Sequence, residues 1–162
     1  MQQAIKIIDA INKLLSIVLS VVLAVMALLI VAQVFTRYVV DISLTWSEEA
    51  ARYLMVYSVF LGAALAIRYQ KHVAIEILSE SINEKARRIV KLIIMIICIV
   101  FFFMLLVKGI DILELVSRQK SPALRIPMTI PYAAIPIGAG LLILNSVAVI
   151  LEMFIGKKEE NH

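Results

Sequence analysis

The sequence predicts an all-α integral membrane protein: four transmembrane helices with short interfacial amphipathic helices, forming a single membrane domain over its 162 residues. Three observations lead there. Hydrophobic residues fill 62% of positions and the mean hydropathy is +0.98, well above the roughly 45–50% apolar content of soluble domains. The apolar residues gather into four runs that, with their flanking turns, are long enough to cross a bilayer at about 1.5 Å per residue. Charged residues fall between those runs, where water and lipid headgroups solvate them.

Composition also removes several function classes. A net charge of +4 and a pI near 9.3 would suit a nucleic-acid binder, but the basic residues flank hydrophobic spans instead of forming a patch, so no nucleic-acid partner is expected. The one cysteine, Cys98, lies inside an apolar run. It has no partner for a disulfide within the chain.

In chain order, residues 1–13 form a mildly amphipathic lead with Lys6 and Lys13, and the first crossing occupies about residues 14–36. Its apolar core is too long for a signal peptide, and no small-residue cleavage site follows. An interfacial connection carries Arg37, Tyr38 and Asp41. Thr45 and Glu48 have the spacing of a capping box that would start the second crossing, about residues 47–68, with Glu48 and Glu49 favoured by the positive end of the helix dipole. Tyr38 and Trp46 suit the headgroup level. Within the span Ser58, Gly62 and Ala66 recur every fourth position, a small-residue stripe that admits a second helix closely.

Residues 68–88 carry both signs of charge, and Ala74, Ile75, Ile77, Leu78 and Ile82 share one side of a helical wheel. An amphipathic helix lying in the membrane surface is expected over about residues 71–80. Ser81 with Glu84 gives a second capping box ahead of the third crossing, about residues 86–114. Beyond the hydrocarbon, Lys108 with Asp111 and Glu114 with Arg118 are spaced to pair along the helix. A proline-rich loop follows, and the fourth crossing covers about residues 131–154. Pro136, Gly138 and Gly140 should kink or slim it, and Ala134 with Gly138 offers another site for close packing. The polar tail GKKEENH should fray.

With four crossings the termini share a side, which holds ten of the sixteen Lys and Arg residues against six opposite. The termini are therefore expected in the cytoplasm. No Asp, Glu, Lys, Arg or His falls in the middle of a span, where carriers usually keep ionisable groups. The chain reads as a helper or scaffold. Gln33 reads first as a hydrogen-bonding partner for a neighbouring helix. His72 and Glu76 are one turn apart, but without further ligands a solvated pair is the simpler reading than a metal site. Glu48, Glu49 and Arg52 could form a carboxylate site, although capping and an i, i+4 pair account for them; the serines have no plausible His partner, and no enzyme is expected. Arg37 either pairs with Glu48 or Glu49, or docks an acidic soluble partner. Arg52 is the second docking candidate.

The run LTWSEEAARYLMVYSVFLGAALAIRYQKHVAIEIL resembles the signature of the small membrane subunit, DctQ-like, of tripartite ATP-independent periplasmic (TRAP) transporters. The matching positions are Trp46, Ser47, Glu48, Glu49, Gly62, Ala63, Ala64, Arg68, His72 and Glu76, the last standing where Asp is common. Ser121-Pro122-Ala123-Leu124, Ile126-Pro127 and the run YAAIPIG resemble a second landmark. The resemblance covers nearly the whole chain. It implies a sodium-driven importer of organic acids in the bacterial inner membrane, with a periplasmic substrate-binding protein, a large multispanning subunit that holds the sodium and substrate sites, and this chain as its fixed support. No cofactor is then expected in this chain, and lipids are its remaining partners. Ser58, Gly62, Ala66, Ala134 and Gly138 become candidates for helix packing or the subunit interface, and Tyr38, Trp46, Glu48, Glu49 and His72 for interfacial anchors. An independent homo-oligomeric channel, lined by the Ser58, Gly62 and Ala66 face, is the competing reading.

Overall fold

The computed structural model describes residues 2–42, 44–69 and 84–159. Within them the chain forms α1 (Gln2–Val39), α2 (Thr45–Arg68), α3 (Glu84–Val116), the single turn α4 (Thr129–Tyr132) and α5 (Ala134–Glu159). Four stretches are long and apolar enough to cross a membrane: Ile5–Val39, Thr45–Arg68, Ile89–Val116 and Thr129–Glu152. The expected surface helix at 71–80, its residue His72 and the capping residue Ser81 lie outside the described residues.

Helix α1 begins well before residue 14, so the amphipathic lead is its first turns and not a separate segment. It ends where Asp41 takes a left-handed backbone, φ 58°, a conformation that Asp tolerates better than most residues. The amides of Val40 and Ile42 both return to the Thr36 carbonyl. Helix α2 starts at Thr45, but the expected capping box does not form: Leu44 occupies the cap position without a side-chain bond. The buried Ser47 hydroxyl instead donates to the Leu44 carbonyl at 2.8 Å, and both glutamates are engaged elsewhere. The fourth crossing is interrupted at Ala133, between α4 and α5. Pro136 has no N–H to offer the Tyr132 carbonyl, which is the physical reason for the break. Residues 156–159 of the polar tail continue α5.

Backbone contacts arrange the spans in the order α1, α2, α5, α3. The last helix in sequence therefore sits between the second and third. Burial follows this order: none of the most apolar stretch of α1 is buried within the chain and 6% of that of α3, against 22% for α2 and 50% for the α4–α5 span. Ala64, Ile67, Met95, Leu142 and Val149 form the core cluster, with Phe60 and Phe102 packed against it. Two glycines permit the closest approaches. A Cβ on Gly138 would fall 2.5 Å from the Phe60 Cβ, and one on Gly109 would fall 3.0 Å from Ile135 and 3.1 Å from Pro136.

Candidate functional site

The polar chemistry collects at the two ends of this apolar array. At the end where α2 starts, Glu49 is a clamp. One carboxylate oxygen accepts the amides of Ala123 at 2.7 Å and Leu124 at 3.2 Å, while the other accepts the Tyr53 hydroxyl. The bound segment is an ordered turn. Lys120 and Pro127 form a β-bridge, the Ser121 amide reaches the Ile126 carbonyl at 2.9 Å, and the Met128 amide reaches the Gln119 carbonyl at 3.0 Å. Arg125 takes a left-handed backbone, φ 54°, an unusual conformation for a non-glycine residue. The Tyr57 hydroxyl secures the next stretch by donating to the Ile130 carbonyl at 2.6 Å. Negative charge meeting successive free amides makes a stronger bond than a neutral acceptor would, so Glu49 fixes the loop rather than capping its own helix.

Glu48 pairs with Arg52 at 3.1 Å across an exposed i, i+4 contact. Arg37 is exposed and has no ion partner among the described residues; its expected pairing with Glu48 or Glu49 is not made, Glu48 meeting Arg52 and Glu49 meeting the loop amides instead. Arg118, Lys120 and Arg125 are also exposed on the loop at this end. Lys108 meets Asp111 at 3.0 Å, but Glu114 and Arg118 do not pair. Tyr38 and Trp46 are exposed here.

At the opposite end Arg68 joins three helices. Its guanidinium donates to Asp9 of α1 at 2.6 and 2.8 Å and to Glu152 of α5 at 2.6 and 2.9 Å. Only 9% of its side chain is exposed. Deeper between the helices, Asn12 and Asn145 exchange hydrogen bonds at 2.7 and 2.8 Å, and Asn145 also donates to the Ala64 carbonyl at 2.7 Å. Both asparagines are buried. Low dielectric makes such bonds valuable and makes an unpaired amide costly. Neither cluster follows from the motifs of the sequence alone; the available signal was an Asn within the apolar run LLILNSVAVI, since an amide in a membrane span asks for a partner.

The small-residue positions divide between packing roles. Gly62 is half-buried, with Leu19 of α1 the nearest neighbour of a Cβ placed there, and Ala66 is also half-buried. The Ser58 hydroxyl donates to the Met55 carbonyl of its own helix at 2.8 Å. Ala134 and Gly138 are buried within the chain, which leaves their surface to intramolecular packing. Among the described residues no group of three or more His, Cys, Asp or Glu side chains gathers as a metal-binding set.

A sequence model of the family described as tripartite ATP-independent periplasmic transporters, DctQ component, matches residues 26–156. The chain is 35% identical over 82 residues to the sialic acid TRAP transporter permease protein SiaT of Haemophilus influenzae, covering 51% of this chain and 13% of that relative. It is 29% identical over 133 residues to a putative TRAP transporter small permease protein of the same species, covering 82% of each. It is 23% identical over 156 residues to the C4-dicarboxylate TRAP transporter small permease protein DctQ of Vibrio cholerae, covering 82% of this chain and 67% of the relative.

Proposed function

The chain belongs to the DctQ component family of tripartite ATP-independent periplasmic transporters, and from that premise we propose that it supports the large subunit of a sodium-coupled importer of organic acids. The family is a transporter component and not an enzyme. The observation that carries the reading is the burial pattern of the array: the flanking spans α1 and α3 bury 0% and 6% of their most apolar stretches within the chain. Such helices have apolar surface left for lipid and for a larger membrane partner. The match to a sialic acid permease protein, of which this chain spans only 13%, fits a small unit working beside a larger one. Sodium and substrate would be held by that partner, while this chain stays fixed as its neighbour moves.

Arg37 and Arg52 lie at the end bearing the ordered loop; Arg52 is held by Glu48, and we assign Arg37 to docking the periplasmic substrate-binding protein through its acidic surface. We take this end as periplasmic and both termini as cytoplasmic, in the bacterial inner membrane, a reading supported by the ten-to-six Lys and Arg tally. The test is co-expression with a large TRAP permease subunit, followed by gentle purification through this chain and reconstitution with the binding protein. A one-to-one complex with sodium-driven, binding-protein-dependent uptake is expected. Arg37→Glu should lower uptake without lowering the yield of complex; loss of the complex itself would make Arg37 structural. Purification as a lone monomer, or sodium-driven accumulation by this chain alone, would overturn the assignment.

A further inference from the structure

We propose that the cleft between the start of α2 and the segment containing α4 binds one zwitterionic aminophospholipid, with its phosphate at Arg52 and its ammonium at Glu48. The cleft has a volume of about 670 Å³, room for a headgroup and the upper part of one acyl chain. Its wall is largely apolar, with Val56, Pro131, Tyr132 and Ile135 among the residues lining it, and Glu48 and Arg52 stand on it as an ion pair. Glu48, Arg52 and Val56 follow one another at intervals of four, so they share a stripe of α2. That stripe runs about 12 Å along α2 from Glu48 through Arg52 to Val56, toward the hydrocarbon, at about 1.5 Å per residue. The exposed Trp46 sits at the same end, where an indole favours the headgroup region.

The charged pair suits one headgroup in particular. Arg52 uses one donor in its 3.1 Å contact with Glu48, and guanidinium has five, leaving donors for a phosphate. The second oxygen of Glu48 has no partner among the described residues. Glu49, which also lines the cleft, is already committed to Tyr53, Ala123 and Leu124. A primary ammonium can donate to Glu48, whereas the quaternary ammonium of a choline lipid has no N–H. A glycerol headgroup brings no cation and sets an uncompensated phosphate beside Glu48.

The test is native mass spectrometry of the detergent-purified full chain given equal amounts of phosphatidylethanolamine, phosphatidylglycerol and phosphatidylcholine with identical acyl chains. One molecule of the ethanolamine lipid should be retained in preference. Glu48→Gln and Arg52→Gln should each reduce retention about tenfold, the effect of losing a charge-assisted hydrogen bond. Val56→Trp, which fills the wall and leaves the pair intact, should do the same, with circular dichroism confirming the fold. Lys108→Gln, which breaks an exposed pair of α3 at 3.0 Å, should change nothing. Free phosphoethanolamine should not displace the lipid, because it has no chain to bury. Equal or greater retention of the glycerol or choline lipid, indifference to Val56→Trp, or a lipid-free cleft that crosslinks to the large subunit would each overturn the proposal.

Discussion

Gly138→Ala should loosen the bundle at the crossing of α2 and α5. The added methyl would fall 2.5 Å from Cβ, 2.7 Å from Cγ and 2.6 Å from Cδ1 of Phe60. Carbon atoms attract best at about 3.5–4.0 Å, so the contact must open by about 1 Å. A rotamer change cannot supply that opening, because Phe60 Cβ is fixed to its own backbone. The two helices must separate instead, and Ala64 and Leu142 of the core cluster lie on those same helices. Overpacking of this kind costs about 1–3 kcal/mol. Helix propensity works the other way by up to about 1 kcal/mol, since Ala is the better helix former, and the net loss should be about 1–2 kcal/mol. Thermal unfolding in detergent, followed by size-exclusion chromatography, reads it. Gly140→Ala is the internal comparison: a Cβ there meets nothing within 4 Å, so only the propensity gain remains and stability should hold or rise. The reasoning fails if Gly138→Ala unfolds with wild-type stability, or if Phe60→Gly, which removes the clashing Cβ, does not reduce its effect in the double variant.

The polar joints give further tests. Asn145→Ala leaves the Asn12 side-chain oxygen without its donor, although the Asn12 amide keeps its bond to the Ile8 carbonyl, and should cost about 1 kcal/mol in a membrane setting; replacing both asparagines with Leu should be milder than the single change, as measured by the same unfolding assay. Arg68→Gln removes the cation that separates Asp9 from Glu152, and should destabilise the chain by about 2 kcal/mol, below the range for a fully buried pair because Asp9 is 51% exposed. Arg68→Lys should fall between the two, since an ammonium cannot match the fork of guanidinium donors. Glu49→Ala releases the amides of Ala123 and Leu124, so trypsin should cut at Lys120 and Arg125 several-fold faster while helical content is kept. Unchanged cleavage would mean that the turn holds itself.

The sequence made the helical architecture legible because lipid imposes a coarse rule: apolar length and charge at the edges suffice to place a span. The same rule is silent on which spans touch. The stripe of Ser58, Gly62 and Ala66 is visible in the sequence, but the closest α2 contact with a glycine runs through Phe60, a large residue filling the space that Gly138 leaves on another helix. The local spacing makes Glu49 look like a helix-terminal anion. Besides Tyr53 one turn on, its partners are amides more than seventy residues away, in a turn whose backbone the sequence does not specify. Arg68, Asp9 and Glu152 were likewise separate surface charges until the helix order brought them together. Long-range pairing between polar residues depends on topology, and a single amphipathic pattern carries none of it.

The order of the helices has a consequence for biosynthesis. Helices α2 and α3 leave the ribosome consecutively, yet the described residues show no backbone packing between them, and the place between them belongs to α5. The last span to be made must therefore wedge between two already in the membrane. It brings Asn145 to a waiting Asn12 and Glu152 to a waiting Arg68. Until then the nascent chain holds an amide without its mate in hydrocarbon and a guanidinium with one carboxylate in place of two. Maturation should end in a single late docking step, and a chain cut short before residue 134 should be recognised by membrane proteases as unfinished.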